Sequence, residues 1–409
     1  MNRLQALQFR EFRNFVIARF CFVVGMRMVG ALVGWWIYEL TQSKLALGLI
    51  GLAEVVPAVS LALYSGVVID RSEKRSLLVK TISLYCVTSL LLLFISTTYF
   101  KEQFGTSAML IGIYAVIFFT GTIRAFSGPA FGATLGQLVP KDVLPNAAAI
   151  NTGVWLSASV MGHASAGFLI AFVGYTGTFA VVLTLVFIAV LMLTSLDAKP
   201  PVYGNLQEQR TWESVKEGLR FVMHEKVLLG SLTLDLFAVL FGGVVALIPV
   251  FAIDILKVGP IGFGWLNAAT DIGAIVVTIV LTLFPLRKNQ GRWLLFVVAG
   301  FGLSILVFAV SKIFWLSFLA LLFSGMLDGI SMVIRGTIVQ LRTPAELRGR
   351  VMSVNAMFIN SSNELGQFES GFAASLMGTV PSVIFGGSMT LLVAIVTWLK
   401  APELRKLQY

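Results

Sequence analysis

An all-α membrane protein of twelve transmembrane helices, two six-helix pseudo-repeats with both termini cytoplasmic, is the fold this sequence predicts. Three observations predict it. The chain of 409 residues is 57% hydrophobic and only 12% charged, whereas a soluble domain carries about 25% charged residues. Apolar stretches of about 20 residues, each enough to cross a hydrocarbon core of roughly 30 Å, recur along the whole length. The two halves also repeat one another in sequence. A β-barrel would show short alternating segments instead.

Span 1 (15–40) is too long for a signal peptide and has no small-residue cleavage site. It holds Arg27 at depth, and Arg19, one turn from the cytoplasm, is expected to snorkel. Span 2 (45–69) carries Glu54, span 3 (81–99) has no ionisable group at depth, and span 4 (107–135) carries Arg124. Span 5 (148–173) carries His163, and span 6 (178–195) carries nothing that ionises. The connection 196–226 opens with the Pro/Gly linker "KPPVYGN". It continues as "WESVKEGLRFVMHEKV", which reads as a short amphipathic helix at the cytoplasmic surface. Span 7 (227–253) carries Asp235 and span 8 (261–285) Asp271. Span 9 (294–310) and span 12 (381–399) have none. Span 10 (314–339) carries Asp328 and Arg335, and span 11 (351–377) carries Glu364 and Glu369. The chain therefore divides into an N-terminal half (1–195), a linker (196–226) and a C-terminal half (227–409).

The charges orient this layout. Of the 30 Lys and Arg residues, 22 fall in the termini and the loops on one side. The other side holds only Lys44, Lys101, Lys257 and Lys312. The bias places both termini in the cytoplasm. It also accounts for the net charge of +10 without nucleic acid. Cys21 and Cys86 fall inside spans, so neither a disulfide framework nor a metal cluster is expected, and no cofactor is implied.

The repeat is clearest in spans 5 and 11. "NTGVWLSASVMGHASAGFLIAFVG" (151–174) aligns without gaps to "NAMFINSSNELGQFESGFAASLMG" (355–378). Asn151 meets Asn355, Ser157 meets Ser361, Gly162 meets Gly366, Gly167 meets Gly371 and Gly174 meets Gly378. Glu364 and Glu369 have no counterparts, since they stand against Val160 and Ser165. The small residues Gly162, Gly167, Gly366 and Gly371 read as a helix-packing motif. Spans 2 and 8 match more weakly and place Glu54 on Asp271. Such parallel repeats are a transporter architecture.

Loop 66–78, "GVVIDRSEKRSLL", resembles the major facilitator signature between spans 2 and 3. Gly66, Asp70, Arg71 and Arg75 match it, and Glu73 stands where the signature usually has Gly. Gly66 would let two helices approach closely. Asp70 can accept from a helix N-terminus or pair with an Arg. The resemblance implies that this cluster latches the cytoplasmic side in the outward-open state. A basic loop that merely obeys the positive-inside rule is the alternative, which the match of Gly66, Asp70, Arg71 and Arg75 in spacing and location disfavours. "RAFSG" (124–128) resembles a second signature, whose Arg is linked to proton coupling. "GHASAG" (162–167) resembles the antiporter signature G-P-x-x-G-G, with His163 in place of Pro and Ala166 in place of a Gly. "YELTQS", "IDRSEKR", the span-7 run 234–256 and "TPAELRGRVMSV" are similar to the branch of enterobactin, macrolide and multidrug exporters.

Charged groups facing lipid cost at least about 2.5–3.5 kcal/mol each. In the major facilitator fold the spans that carry them here surround a central cavity, and spans 3, 6, 9 and 12 face lipid. The candidate substrate and proton cavity is therefore Arg27, Glu54, Arg124, Asp235, Asp271, Asp328, Glu364 and Glu369. Glu54 and Asp271 read either as gating or proton-carrying groups or as ties between helices. Arg335 reads as snorkelling or as paired with Asp328, seven residues earlier on one face.

The resemblance implies a secondary active transporter of a bacterial inner membrane, monomeric and not an enzyme. Its partners would be a small-molecule substrate, protons and the lipid bilayer. Proton-coupled efflux of a siderophore, drug-like or other amphiphilic molecule by alternating access leads. A lysophospholipid or lipid transporter of the same fold, a metal or nutrient carrier, and a non-transporting sensor remain open. No H-E-x-x-H, G-x-S-x-G or Walker pattern occurs.

Overall fold

The computed structural model describes residues 5–198, 211–286, 288–344 and 347–408. Of Leu63, Val67, Asp70 and residues 211–215 it describes the backbone only. The linker "KPPVYGN" and the Asp70 side chain thus lie outside the described residues.

The regular elements among the described residues are all helices. The long elements are α1 (Arg10–Thr41), α2 (Lys44–Arg71), α3 (Lys74–Ile95), α4 (Thr98–Leu135) and α5 (Leu144–Thr194). After the linker come α6 (Thr211–His224) and α7 (Lys226–Gly242). Residues 244–255 continue α7 as short 3-10, α (α8, Ile248–Val250) and π turns. Then follow α9 (Gly259–Leu283), α10 (Gln290–Val310), α11 (Phe314–Arg342), α12 (Arg348–Met377), α13 (Thr379–Lys400) and α14 (Pro402–Arg405).

Ten stretches among the described residues are long and apolar enough to cross a membrane. One of them, α5, is two spans. Gly174 has φ 66° and ψ −171° and breaks it into limbs 144–173 and 175–194. At 1.5 Å per residue these limbs run about 45 Å and 30 Å. The twelfth span is α12, whose polar run 360–364, Gln367 and Glu369 keep it below the hydropathy of the others. Gly378 separates α12 from α13 with φ 93° and ψ 162°. This is the same backbone solution as at Gly174, 204 positions earlier, as the repeat requires. Side chains cost about 1–3 kcal/mol in that region, which is essentially glycine-only. Gly174→Ala and Gly378→Ala are each expected to lower stability by about that amount, read as a lower Tm in detergent. An unchanged Tm would show that the breaks relax without strain.

Backbone contacts gather the chain into two units. One comprises residues 1–40 and 56–208, the other 41–55 and 209–409. The division of α2 falls beside Pro57, whose ring removes the hydrogen bond to the carbonyl four residues back and loosens a helix there.

The same packing recurs inside each unit. In the first, α1 meets the first limb of α5 at Gly162, where a Cβ would lie 2.8 Å from the Val24 carbonyl. In the second, α7 meets α12 at Gly366, where a Cβ would lie 2.8 Å from the Val239 carbonyl. In the first unit, α3 runs antiparallel to the second limb of α5. Arg75 donates to the Thr194 carbonyl at one end (2.5 Å), and Ser96 and Thr176 bond at the other (3.1 Å). In the second, α10 runs antiparallel to α13, with Phe296 on Trp398 and Gly302 against Gly387. Large apolar side chains stay exposed on these four elements, for example Leu84, Phe187, Leu303 and Ile395. Lipid is the solvent that accommodates such a belt.

Candidate functional site: charged groups buried in the spans

Asp235 on α7 and Arg335 on α11 form an ion pair in the second unit, with relative exposures of 5% and 4%. Arg335 Nη1 donates to Asp235 Oδ2, and its Nε donates to Ser331 Oγ at 3.2 Å, one turn back on α11. Arg335 thus neither snorkels nor takes Asp328 as its hydrogen-bonded partner. The acid on the neighbouring helix reaches it directly, and a buried guanidinium needs a counter-charge in contact. Asp328 is half-buried two turns from Arg335 on α11.

Glu364 is buried at 7% exposure, and Gln367 Nε2 donates to its Oε2 at 2.9 Å. Glu369 is half-buried. Its neighbour Ser370 donates to the Gly243 carbonyl at 3.0 Å, where α7 loses its regular helix. Thr390 of α13 donates to the Ala238 carbonyl at 3.2 Å. The Gly243 carbonyl, at the break in α7, is therefore met by a hydroxyl from α12, as a buried break demands.

The second unit also contains the first turns of α2. Gly48 and Gly51 there face α12. A Cβ at Gly51 would lie 2.6 Å from the Glu364 carbonyl, and one at Gly371 would lie 2.5 Å from Gly48 Cα. Glu54, half-buried, sits one turn beyond Gly51. The structure thus brings Glu54 and Glu364 to one helix crossing. The Gly48-x-x-Gly51 spacing was the signal for this contact: residues three apart share a helix face, and glycines there admit a close neighbour.

Across the unit, α9 and α11 cross at Gly273 and Gly325, with Asp271 and Asp328 flanking the seam. The sequence reading missed these glycines as well.

In the first unit, Arg27 Nε donates to Ser159 Oγ at 3.1 Å, and the guanidinium lies 5.2 Å from the Trp155 ring centroid. Both partners come from α5, and Gly162 makes the room, since a Cβ there would meet Arg27 Cβ at 2.6 Å. Gly167 is buried. Arg124 and His163 are half-buried. Arg19, expected to reach the membrane surface, lies 5.5 Å from the Phe131 ring with a buried Nε that has no hydrogen-bond partner among the described residues.

The signature loop begins at Gly66, in the last turns of α2. Among the described residues, no atom lies within 4 Å of where a Cβ on this glycine would be. Glu73, where the signature usually has Gly, is the N-cap of α3 and accepts from Arg75 N (2.9 Å) and Ser76 N (2.7 Å). Arg75 reaches the last turn of α5, where a cation meets the negative end of the helix dipole. Lys74 is buried and donates to the Ile69 carbonyl. Arg71 ends α2.

The model of the transmembrane secretion effector family matches residues 2–408. The chain belongs to this family of major facilitator transporters. Its relatives include the enterobactin exporter EntS of Shigella flexneri. That protein is 25% identical over 404 residues, with 97% of this chain and 92% of the relative covered. The EntS of Escherichia coli O1:K1 is 24% identical over the same extent. A POT family transporter in complex with 5-aminolevulinic acid shares the fold at TM-score 0.76 and 10% identity, covering 97% of each chain. A D-xylose-proton symporter does so at TM-score 0.73 and 13% identity, covering 100% of each. These major facilitator transporters are not enzymes, and neither is this chain.

Proposed function

We propose that this transporter exports an amphiphilic small molecule, in the manner of an enterobactin-like siderophore or a drug-like compound, and couples the export to proton entry. The observation that carries the reading is that acids are held inside the spans of the second unit. Asp235, Glu364 and Glu369 sit where charge is costly, in a chain whose relatives are exporters. A carboxylate that alternates between neutral and charged forms is the group such coupling needs. The halves would alternate access, the loop around Asp70, Arg71 and Arg75 would latch the cytoplasmic side, and both termini would lie in the cytoplasm of an inner membrane. The transporter would work as a monomer.

The test is flux in proteoliposomes under an imposed pH gradient, with a panel of siderophores, macrolides and lysophospholipids. Glu364→Gln and Glu369→Gln keep the shape of the side chain but cannot take up a proton. At least one is expected to abolish pH-driven flux of the transported compound while downhill exchange continues. Undiminished pH-driven flux in both variants would remove α12 from the coupling path.

A further inference from the structure

The first unit contains a cavity of about 370 Å³ that lies apart from the buried charges described above. Trp36, Glu39, Thr97, Lys101, Met109 and Tyr175 line it. Its volume is near the lower end for small-molecule sites. Trp36 and Tyr175 stack at one wall, with centroids 5.5 Å apart and planes at 25°. The Tyr175 hydroxyl donates to Glu39 Oε2, which fixes the carboxylate and leaves its other oxygen for a further donor. Lys101 lines the same cavity, but its ammonium makes no ion pair with Glu39 and no hydrogen bond among the described residues. One cavity thus presents a fixed anion and an uncommitted cation. Opposite charges that could neutralise each other are held apart.

The cavity mouth is bordered by a short surface helix. Gly105, at φ 75°, separates residues 98–104 from the rest of α4. Tyr99 and Phe104 on this piece are 61% and 58% exposed, and Phe100 packs between Phe94 and Phe104. Aromatic residues on both sides of Lys101, Glu102 and Gln103 are the composition of a segment lying in a membrane interface. An apolar patch of this kind beside a charged cavity suits a ligand with an apolar body and a zwitterionic head.

We propose that this cavity binds the headgroup of an amine-bearing phospholipid. The phosphate pairs with Lys101, and the primary ammonium donates to Glu39 beside the Trp36–Tyr175 wall. The acyl chains leave along Phe94, Tyr99 and Phe104. A primary ammonium is favoured over a trimethylated one because only the former can donate to the carboxylate. The two rings stack on each other and form no cage around a methylated cation.

The test is binding to the delipidated full-length protein by native mass spectrometry, independent of transport. The probes are phosphatidylethanolamine, phosphatidylcholine and phosphatidylglycerol of matched chains. Phosphatidylethanolamine is expected to bind about tenfold more tightly than the other two, the equivalent of roughly 1.4 kcal/mol. Glu39→Gln should erase that preference, and Lys101→Ala should weaken all three lipids. Lys257→Ala, a loop cation outside the cavity, should change nothing. Equal affinity for the three lipids, or an unaltered preference in Glu39→Gln, overturns the proposal. Glycerophosphoethanolamine separates the sources. Binding as tight as that of the lipid would make the occupant a soluble zwitterion and overturn the lipid assignment, whereas much weaker binding supports it.

Discussion

Arg335→Ala is expected to remove most of the folded protein from the membrane. The substitution leaves Asp235 buried with no counter-charge, and breaking a buried pair from one side costs about 3–5 kcal/mol. Ser331 would keep its hydroxyl but lose the donor that Arg335 Nε supplies at 3.2 Å. Asp235→Leu should do comparable harm by stranding the guanidinium. The informative variant is the double one, Asp235→Leu with Arg335→Met. It removes both charges at similar volume, and such replacements are often neutral or stabilising. Yield and monodispersity in size-exclusion chromatography should therefore return to near wild-type. Flux then decides what the pair is for. A double variant that folds but does not transport assigns the pair a working role in the cycle. Restored flux as well would make it a structural tie between α7 and α11. A double variant as poorly folded as the single ones would refute the electrostatic account of the single losses.

The fold was legible because its signals are local or periodic. Apolar runs of membrane length are read along one stretch of chain, and the repeat by laying 151–174 on 355–378. The repeat even carried conformational information, since Gly174 and Gly378 both hold positive φ. The amphipathic reading of 212–227 corresponds to α6, where Val222 is buried and Leu219 and Met223 are exposed. Side-chain partners were less legible, for a physical reason. Asp328 is seven residues from Arg335 and on its face, so sequence spacing favours it. Asp235, which Arg335 holds, is 100 residues away. Which of two acids reaches a guanidinium depends on how α7 and α11 cross, and that is set by packing that no spacing rule contains. Glu73, a mismatch to the motif, has a clear local function as a helix cap.

Gly325→Ala and Gly273→Ala are expected to have the next largest effect. A Cβ on Gly325 would lie 2.0 Å from the Thr270 carbonyl oxygen, and one on Gly273 would lie 2.1 Å from the Leu322 carbonyl and 2.7 Å from Met326 N. All of these are backbone atoms, so no side chain can swing aside and the helices must separate. In lipid no hydrophobic force draws helices together, and close packing between small residues carries the association. A single methyl here should cost about 1–3 kcal/mol by overpacking, and each kcal/mol lowers Tm by about 2–4 °C in a unit of this size. Gly336 lies on the same helix with no atom of the described residues within 4 Å of its missing Cβ. Gly336→Ala should therefore leave Tm unchanged or raise it slightly, since alanine is the better helix former. The two seam substitutions should also be less than additive. Once α9 and α11 have parted for one methyl, much of the room for the second exists, and neighbours sharing one contact couple in this way. Asp271 and Asp328 ride on the two helices beside that seam, so the separation should reach transport before it reaches unfolding. Gly325→Ala should lose flux at temperatures well below its own Tm, and parallel loss of flux and fold would show that the acids beside the seam need no such register.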